Sequence, residues 1–226
     1  MAFADGCAGV GLGGGARRLT VYRRAVELQD TLERRRMIRS FRPDPVDQDV
    51  LDRIVASVLH APSAGFSQGT ELLVLEDPSA VAAFWDLNEQ PDFPTPPEHL
   101  ALRPPVVVVV LSNPDAYTER YAAPDKIAFG LDQAGNWPVP YWDVDAGMAT
   151  MLMLLAVVEE GLGAFFAGLA DDGRPTLDHF GVPGNFRTIG FVGLGHPAEA
   201  DIASAGSSAF KRRRRPVAEL VHSDRW

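Results

Sequence analysis

Apolar positions along the chain repeat with two different periods. Val50, Leu51, Ile54, Val55, Val58 and Leu59 recur at helical spacing, and Asp47 stands where an N-cap belongs. Leu19 to Arg35 reads as an earlier helix, and Pro43 and Pro45 in "RPDPV" break the chain between the two. The second helix stops at "APSAG". The runs "ELLVLE" (71–76), "VVVVVL" (106–111) and "TIGFVGLG" (188–195) are short, apolar and branched, which predicts buried strands. Between the first two lies "QPDFPTPPEHLALRPP", whose prolines exclude regular structure and mark a loop or lid. "DAGMATMLMLLAVVEE" (145–160) is the most apolar helix expected, almost without a polar face before Glu159. Such a helix is buried on nearly all sides, in a domain centre or against a second subunit. Helices and a few strands in irregular order predict an α+β fold, with helices packed on a sheet.

Composition narrows the class. A chain of 226 residues, 46% hydrophobic, can bury one sizeable core, so residues 19–226 are read as one domain. Residues 1–18 read as a flexible glycine-rich extension. Gly9, Gly11 and Gly14 have the spacing of a dinucleotide-binding turn, but no strand-like run precedes them, and the physics of that turn needs one. A net charge of −9 argues against a nucleic-acid binder with a positive footprint, so the basic residues are read locally. The single cysteine, Cys7, allows no intramolecular disulfide, and a reducing, cytoplasmic location is expected. No charge-free apolar stretch reaches the ~18 residues of a membrane span, so no membrane is expected as partner. The five histidines are scattered without metal-ligand spacing, and no G-x-S-x-G elbow appears. Neither a metal nor a catalytic triad is expected.

Three separate patches look suited to meet a ligand. The first, "RRRMIRSF" (34–41), brings Arg35, Arg36 and Arg39 to the end of a helix, where residues three or four apart share a face. Arginine's planar fork suits phosphate or carboxylate; the alternative is a solvated basic face paired with Glu33 and Asp44. The second, "KRRRRP" (211–216), would point Arg212 and Arg214 the same way on an extended segment, or is a solvated tail. The third is "APSAGFSQG" (61–69), directly before a strand. Its Ser63, Ser67 and Gln68 offer uncharged donors and acceptors beside Phe66, suited to a flat heterocycle or simply to a polar turn.

Together these patches resemble the nitroreductase family of flavin mononucleotide (FMN) enzymes. "RRMIRSF" with Pro45-Val46 is similar to that family's opening R-R-S-x-R-x-F and P-V, and Ala61, Pro62, Ser63 and Gln68 to its A-P-S-x-x-N-x-Q. "GLGAFFAGL" (161–169) is similar to its G-L-G and glycine loop. "FGVPGNFRTIGFVGLGHP" (180–197) and "RRRRPVAELVH" (212–222) resemble its closing segments, in order, from about residue 27 to the end. The resemblance implies a mixed central sheet, an intertwined homodimer and FMN. Arg35, Arg36, Met37 and Arg39 would meet the phosphate and the polar edge of the flavin, with Arg212 and Arg214 completing the clamp. Pro62, Ser63 and Gln68 would contact the ring across the dimer interface, and Ala167 and Gly168 would place backbone N–H groups near flavin N5. Two residues depart from the pattern: Met37 replaces a serine, and Phe66 stands where asparagine is usual.

The activity implied is hydride transfer from NADH or NADPH, by a ping-pong route through FMN, to a nitroaromatic, quinone or similar small acceptor. The flavin carries the chemistry and no catalytic side chain is required. Phe66, Trp137, Trp142 and Phe165 are expected to line the substrate pocket, with "NWPVPYW" (136–142) at its rim. Other readings are a flavin-dependent dehydrogenase of a natural product that passes electrons to oxygen, a non-catalytic flavin-binding protein, and a flavin-free scaffold for an acidic protein partner.

Overall fold

A computed structural model describes residues 27–89, 102–201 and 212–226. The expected 1–18 extension, the helix start at Leu19 and most of the proline-rich "QPDFPTPPEHLALRPP" segment lie outside the described residues.

The centre is a four-stranded sheet in the order β1-β2-β4-β3. Its strands are β1 (Thr70–Leu75), β2 (Val106–Ser112), β3 (Gly163–Ala167) and β4 (Arg187–Gly195). Every residue of β2 is buried. That is why it reads as an unbroken apolar run: both of its faces are covered. Val106, Val108 and Val110 pack towards α2 (Gln48–Ala56) and α5 (Tyr141–Glu159), with Leu51, Ile54, Met153 and Val157. Val107, Val109 and Leu111 pack the other way with Val81 and Phe84 of α3 (Pro78–Asn88), Leu177 of α6 (Arg174–His179) and Phe191. The result is helix, sheet and helix in three layers. Two shorter helices, α1 (Leu28–Arg34) and α4 (Pro114–Ala122), flank them.

Each expected strand is present, and so is Asp47 as the cap of α2, its side chain accepting from Asp49 N. Three corrections follow. The three ladders of the sheet are all antiparallel, and the parallel component of the expected mixed sheet is a single bridge between Met37 and Ala164. "GAFFA", expected in a glycine loop, is strand β3. The apolar helix begins at Tyr141, directly after Pro140, so the last two residues of "NWPVPYW", Tyr141 and Trp142, belong to its first turn. That helix is long and apolar enough to cross a membrane by composition, but half of it is buried, and it packs on the sheet as a core helix.

Candidate functional site

The arginine-rich patch is shaped by the way α1 ends. Arg35 leaves the helix at φ −56°, ψ 121°, while its N–H still donates to Thr31 O. Met37 then bridges Ala164, and Ile38 N donates to Ala164 O at 2.9 Å. The chain thus runs beside β3, and its side chains alternate. Ile38 covers Gly163, where an added Cβ would lie 3.0 Å from the Ile38 side chain. Arg35, Met37 and Arg39 are the alternate positions. The helical convergence expected of Arg35 and Arg39 is therefore absent, because α1 ends at Arg34 and the chain leaves it extended.

The guanidinium groups have different partners. Arg36 Nη1 turns back to the carbonyls of Glu33 and Arg35, closing the end of α1. Arg42, and not the cluster, pairs with Asp44, at 3.2 Å. Arg39 lies over the Phe165 ring, 5.6 Å from its centroid, while its backbone N donates to Asp201 Oδ1 at 3.1 Å. Among the described residues, Arg35 Nη1 is buried without a hydrogen-bond partner. A buried cationic donor left unmatched is costly, so this nitrogen marks a place where an acceptor is wanted.

Next in the chain but one, Met37 lines a cavity of ≈ 430 Å³ with Asp143, Gly147, Met151, Leu154 and Phe166, within the size range of small-ligand sites. Asp143 accepts from Ser112 Oγ at 2.8 Å and lies 3.4 Å from Arg187. Ala167 closes β3 opposite Phe191, and next to it Gly168 is exposed, with nothing within 4 Å of where a Cβ would stand. Its backbone is open to an approaching ligand.

The loop 61–69 forms the second patch. Pro62, Ser63, Phe66 and Gln68 line a cavity of ≈ 140 Å³ that also touches Ala149 of α5. The loop is fastened from behind. Asp145, 3% exposed, accepts from Ala64 N and from Tyr117 Oη, both at 2.8 Å. Arg120 Nε donates to Gly65 O at 3.0 Å, and its two terminal nitrogens hold Asp125 at 2.8 and 2.6 Å. Within the loop, Gln68 N donates to Ser63 Oγ and Ser67 Oγ to Ala64 O. Burial first, and then Asp145, raise the Tyr117 pKa above its ordinary value.

Both cavities border α5, whose Tyr141, Val144, Met148 and Met151 form an exposed apolar stripe at helical spacing. Arg212 and Arg214, the third patch, are exposed on the C-terminal segment, where Arg215 turns onto Glu219. Of the four aromatics expected at a pocket, Phe66 is 72% exposed, whereas Phe165 is in the core against Phe41 and Phe191. Trp137 and Trp142 are buried together around Tyr117. Another cavity, of ≈ 520 Å³, opens against α3 at Pro78, Val81, Trp85 and Arg103 and contains none of these residues.

The sequence pattern of the Nitroreductase family matches residues 32–196, and the chain belongs to that family. A search of curated proteins found no match. Among solved structures, it is similar to a nitroreductase family protein from Streptococcus pneumoniae (TM-score 0.65, 17% identity, 87% of this chain and 99% of that one). It is also similar to nitroreductase A from Vibrio parahaemolyticus (TM-score 0.64, 19% identity, 88% and 76% of the two chains). A third match is a protein from Desulfovibrio desulfuricans described as a nitroreductase in complex with FMN (TM-score 0.61, 20% identity, 89% and 99%). These likenesses extend the agreement in fold over most of the chain.

Asp145, Tyr117 and Arg120 belong to none of the three sequence patches. The readable signal was Asp145 itself, a carboxylate inside an otherwise apolar helical run that burial would force to find donors.

Proposed function

We propose that the chain is an FMN-dependent oxidoreductase that takes reducing equivalents from NADH or NADPH and passes them to a nitroaromatic, quinone or similar small acceptor. Family membership supports the class. The observation that carries the cofactor is Arg35 Nη1, a buried donor with no hydrogen-bond partner among the described residues, on the segment that runs along β3. The residues present fit a flavin nucleotide. Arg35 and Arg39 offer charge at two points along an elongated ligand, Arg212 and Arg214 supply more, and the open backbone at Ala167 and Gly168 offers N–H groups. Met37 brings an apolar surface in place of a hydroxyl, so binding there rests on backbone and packing contacts. When bound, FMN supplies reversible two-electron chemistry; the chain binds it, orients it and excludes water.

Pro62, Ser63 and Gln68 contact the ring of a flavin held by a second protomer. The apolar stripe on α5 supports such a homodimer, because it lies beside both half-sites and leaves large side chains in water. NADH or NADPH and the acceptor use one position in turn.

The test is an absorption spectrum of the protein after addition of FMN and desalting, followed by anaerobic NADH and NADPH. Retained flavin bands that bleach within a turnover are expected. Retained bands that stay unbleached would contradict the reductase reading in favour of a dehydrogenase or a flavin-binding protein, and a colourless protein would contradict the cofactor.

A further inference from the structure

The loop 61–69 holds one of its largest side chains in a costly way. Phe66 has φ 57° and is 72% exposed, and Gly65 and Gln68 beside it also have positive φ, 61° and 54°. Bulky residues seldom occupy the left-handed region, and they persist there only where the surroundings over-determine the backbone. Here the surroundings do so. Asp145 fixes Ala64 N, Arg120 fixes Gly65 O, and Phe66 N donates to Ser63 O at 2.9 Å. Gly65 and Gly69 sit against the rings of Tyr121 and Tyr117, where a Cβ would come within 2.7 and 2.6 Å of ring carbons.

All of this bonding fixes the backbone, and none of it covers the ring. Among the described residues no aromatic ring pairs with Phe66, although the aromatic side chains of the core and of the Tyr117 cluster pair with one another edge to face or tilted. The ring is therefore held outward, in a preset direction, with little rotational freedom left in its backbone. Around it, Leu59 and Pro62 are apolar, and Ser63 and Gln68 are polar but uncharged; no ionisable group lines this cavity. A charged or strongly hydrated ligand would gain nothing here, whereas a flat, neutral, π-rich one could stack on the ring and hydrogen-bond at its edge.

We infer that Phe66 is a specificity-determining residue whose outward ring stacks planar aromatic acceptors and so selects them over small non-aromatic ones. The inference rests on the flavin-oxidoreductase reading, and it places the acceptor against the same loop that would contact the flavin.

The experiment uses the full chain with Phe66→Ala, Phe66→Leu and Phe66→Tyr. Two acceptors, a naphthoquinone and ferricyanide, are compared by kcat/KM, and the binding of 2-naphthamide, which is not reduced, is measured by NMR. Phe66→Ala and Phe66→Leu should lower kcat/KM for the naphthoquinone about tenfold, mainly through KM, and weaken 2-naphthamide by a similar factor. Ferricyanide reduction and FMN content should stay within about twofold of the parent, and Phe66→Tyr should restore the naphthoquinone value. An equal fall for both acceptors would mean that Phe66 only shapes the loop, and no change for either would mean that the ring meets no substrate; both overturn the inference while leaving the reductase reading intact. A parent chain that retains no FMN overturns the reductase reading, and if 2-naphthamide then binds parent and Phe66→Ala alike, the stacking role falls as well.

Discussion

Asp145 is a carboxylate buried inside an apolar helix, and its two donors, Ala64 N and Tyr117 Oη, explain why it is tolerated there. Replacing it removes the acceptor of both and leaves a buried amide and phenol unmatched. Asp145→Ala should therefore destabilise the fold by about 1–3 kcal/mol in urea unfolding. Tyr117 gives this brace a pH signature. Its pKa is raised above the ordinary 10.0 in the folded chain, so the neutral phenol contributes fully below that pH. As the pH rises above 10.0 the unfolded chain loses its proton first and the folded chain keeps it, so stability falls. A stability profile between neutral and strongly alkaline pH should show this fall, and Tyr117→Phe should make it shallower. The Arg120–Asp125 pair behaves in the opposite sense. Its hydrogen bond from Arg120 holds the Asp125 carboxyl down at about 2 from an ordinary 3.8, so the contribution is present above 3.8 and is lost as the pH falls through about 2. Carboxyl NMR should find that midpoint, and Arg120→Ala should move it back towards 3.8.

At the scale of elements, the sheet carries one irregularity next to the site. The β2–β4 register steps from Val110 opposite Gly190 to Leu111 opposite Thr188, which leaves Ile189 unpaired as a bulge. Thr188 Oγ1 fills the gap, donating to Val110 O and accepting from Gly190 N. Gly190 itself has φ 140°, and a Cβ there would stand 2.4 Å from Ala167 O. Gly190→Ala should cost more than about 1 kcal/mol, read as a lowered urea midpoint, and should disturb the end of β3 where Gly168 follows. Much of this architecture was legible in the sequence. The branched runs marked β1, β2 and β4, because β2 and the last six residues of β4 are buried on both faces and β1 is largely apolar though only partly buried. β3 was not legible, because "GAFFA" is short, glycine-led and next to "GLG", so local composition spoke for a turn while pairing with β4 decided for a strand. Helices α3 and α4 had readable starts in Asp77-Pro78 and Asn113-Pro114, a capping side chain followed by proline at the first helical position. The arginine patch was legible as chemistry but not as geometry, since the point at which α1 yields to the bridge with Ala164 depends on a partner 127 positions away in the chain, from Met37 to Ala164. The rim expected at Trp137 and Trp142 failed to anticipate Tyr117, around which both rings close.

For the whole molecule, the proposed homodimer would cover the apolar stripe of α5 that lies beside both cavities. Sedimentation of the full chain should give twice the 24.5 kDa of one protomer, and Met148→Glu with Met151→Glu should shift it to the monomer and weaken FMN retention together. Because the segment from Arg35 to Arg39 is proposed to hold a flavin nucleotide, FMN is titrated into the desalted protein and into Arg35→Ala while flavin fluorescence is followed. That role for Arg35 implies saturable binding to the parent at one FMN per chain, weakened about tenfold to a hundredfold in Arg35→Ala, as expected for the loss of a charge-assisted hydrogen bond. Equal affinity in the two proteins, or no saturable binding by a folded parent, would contradict it.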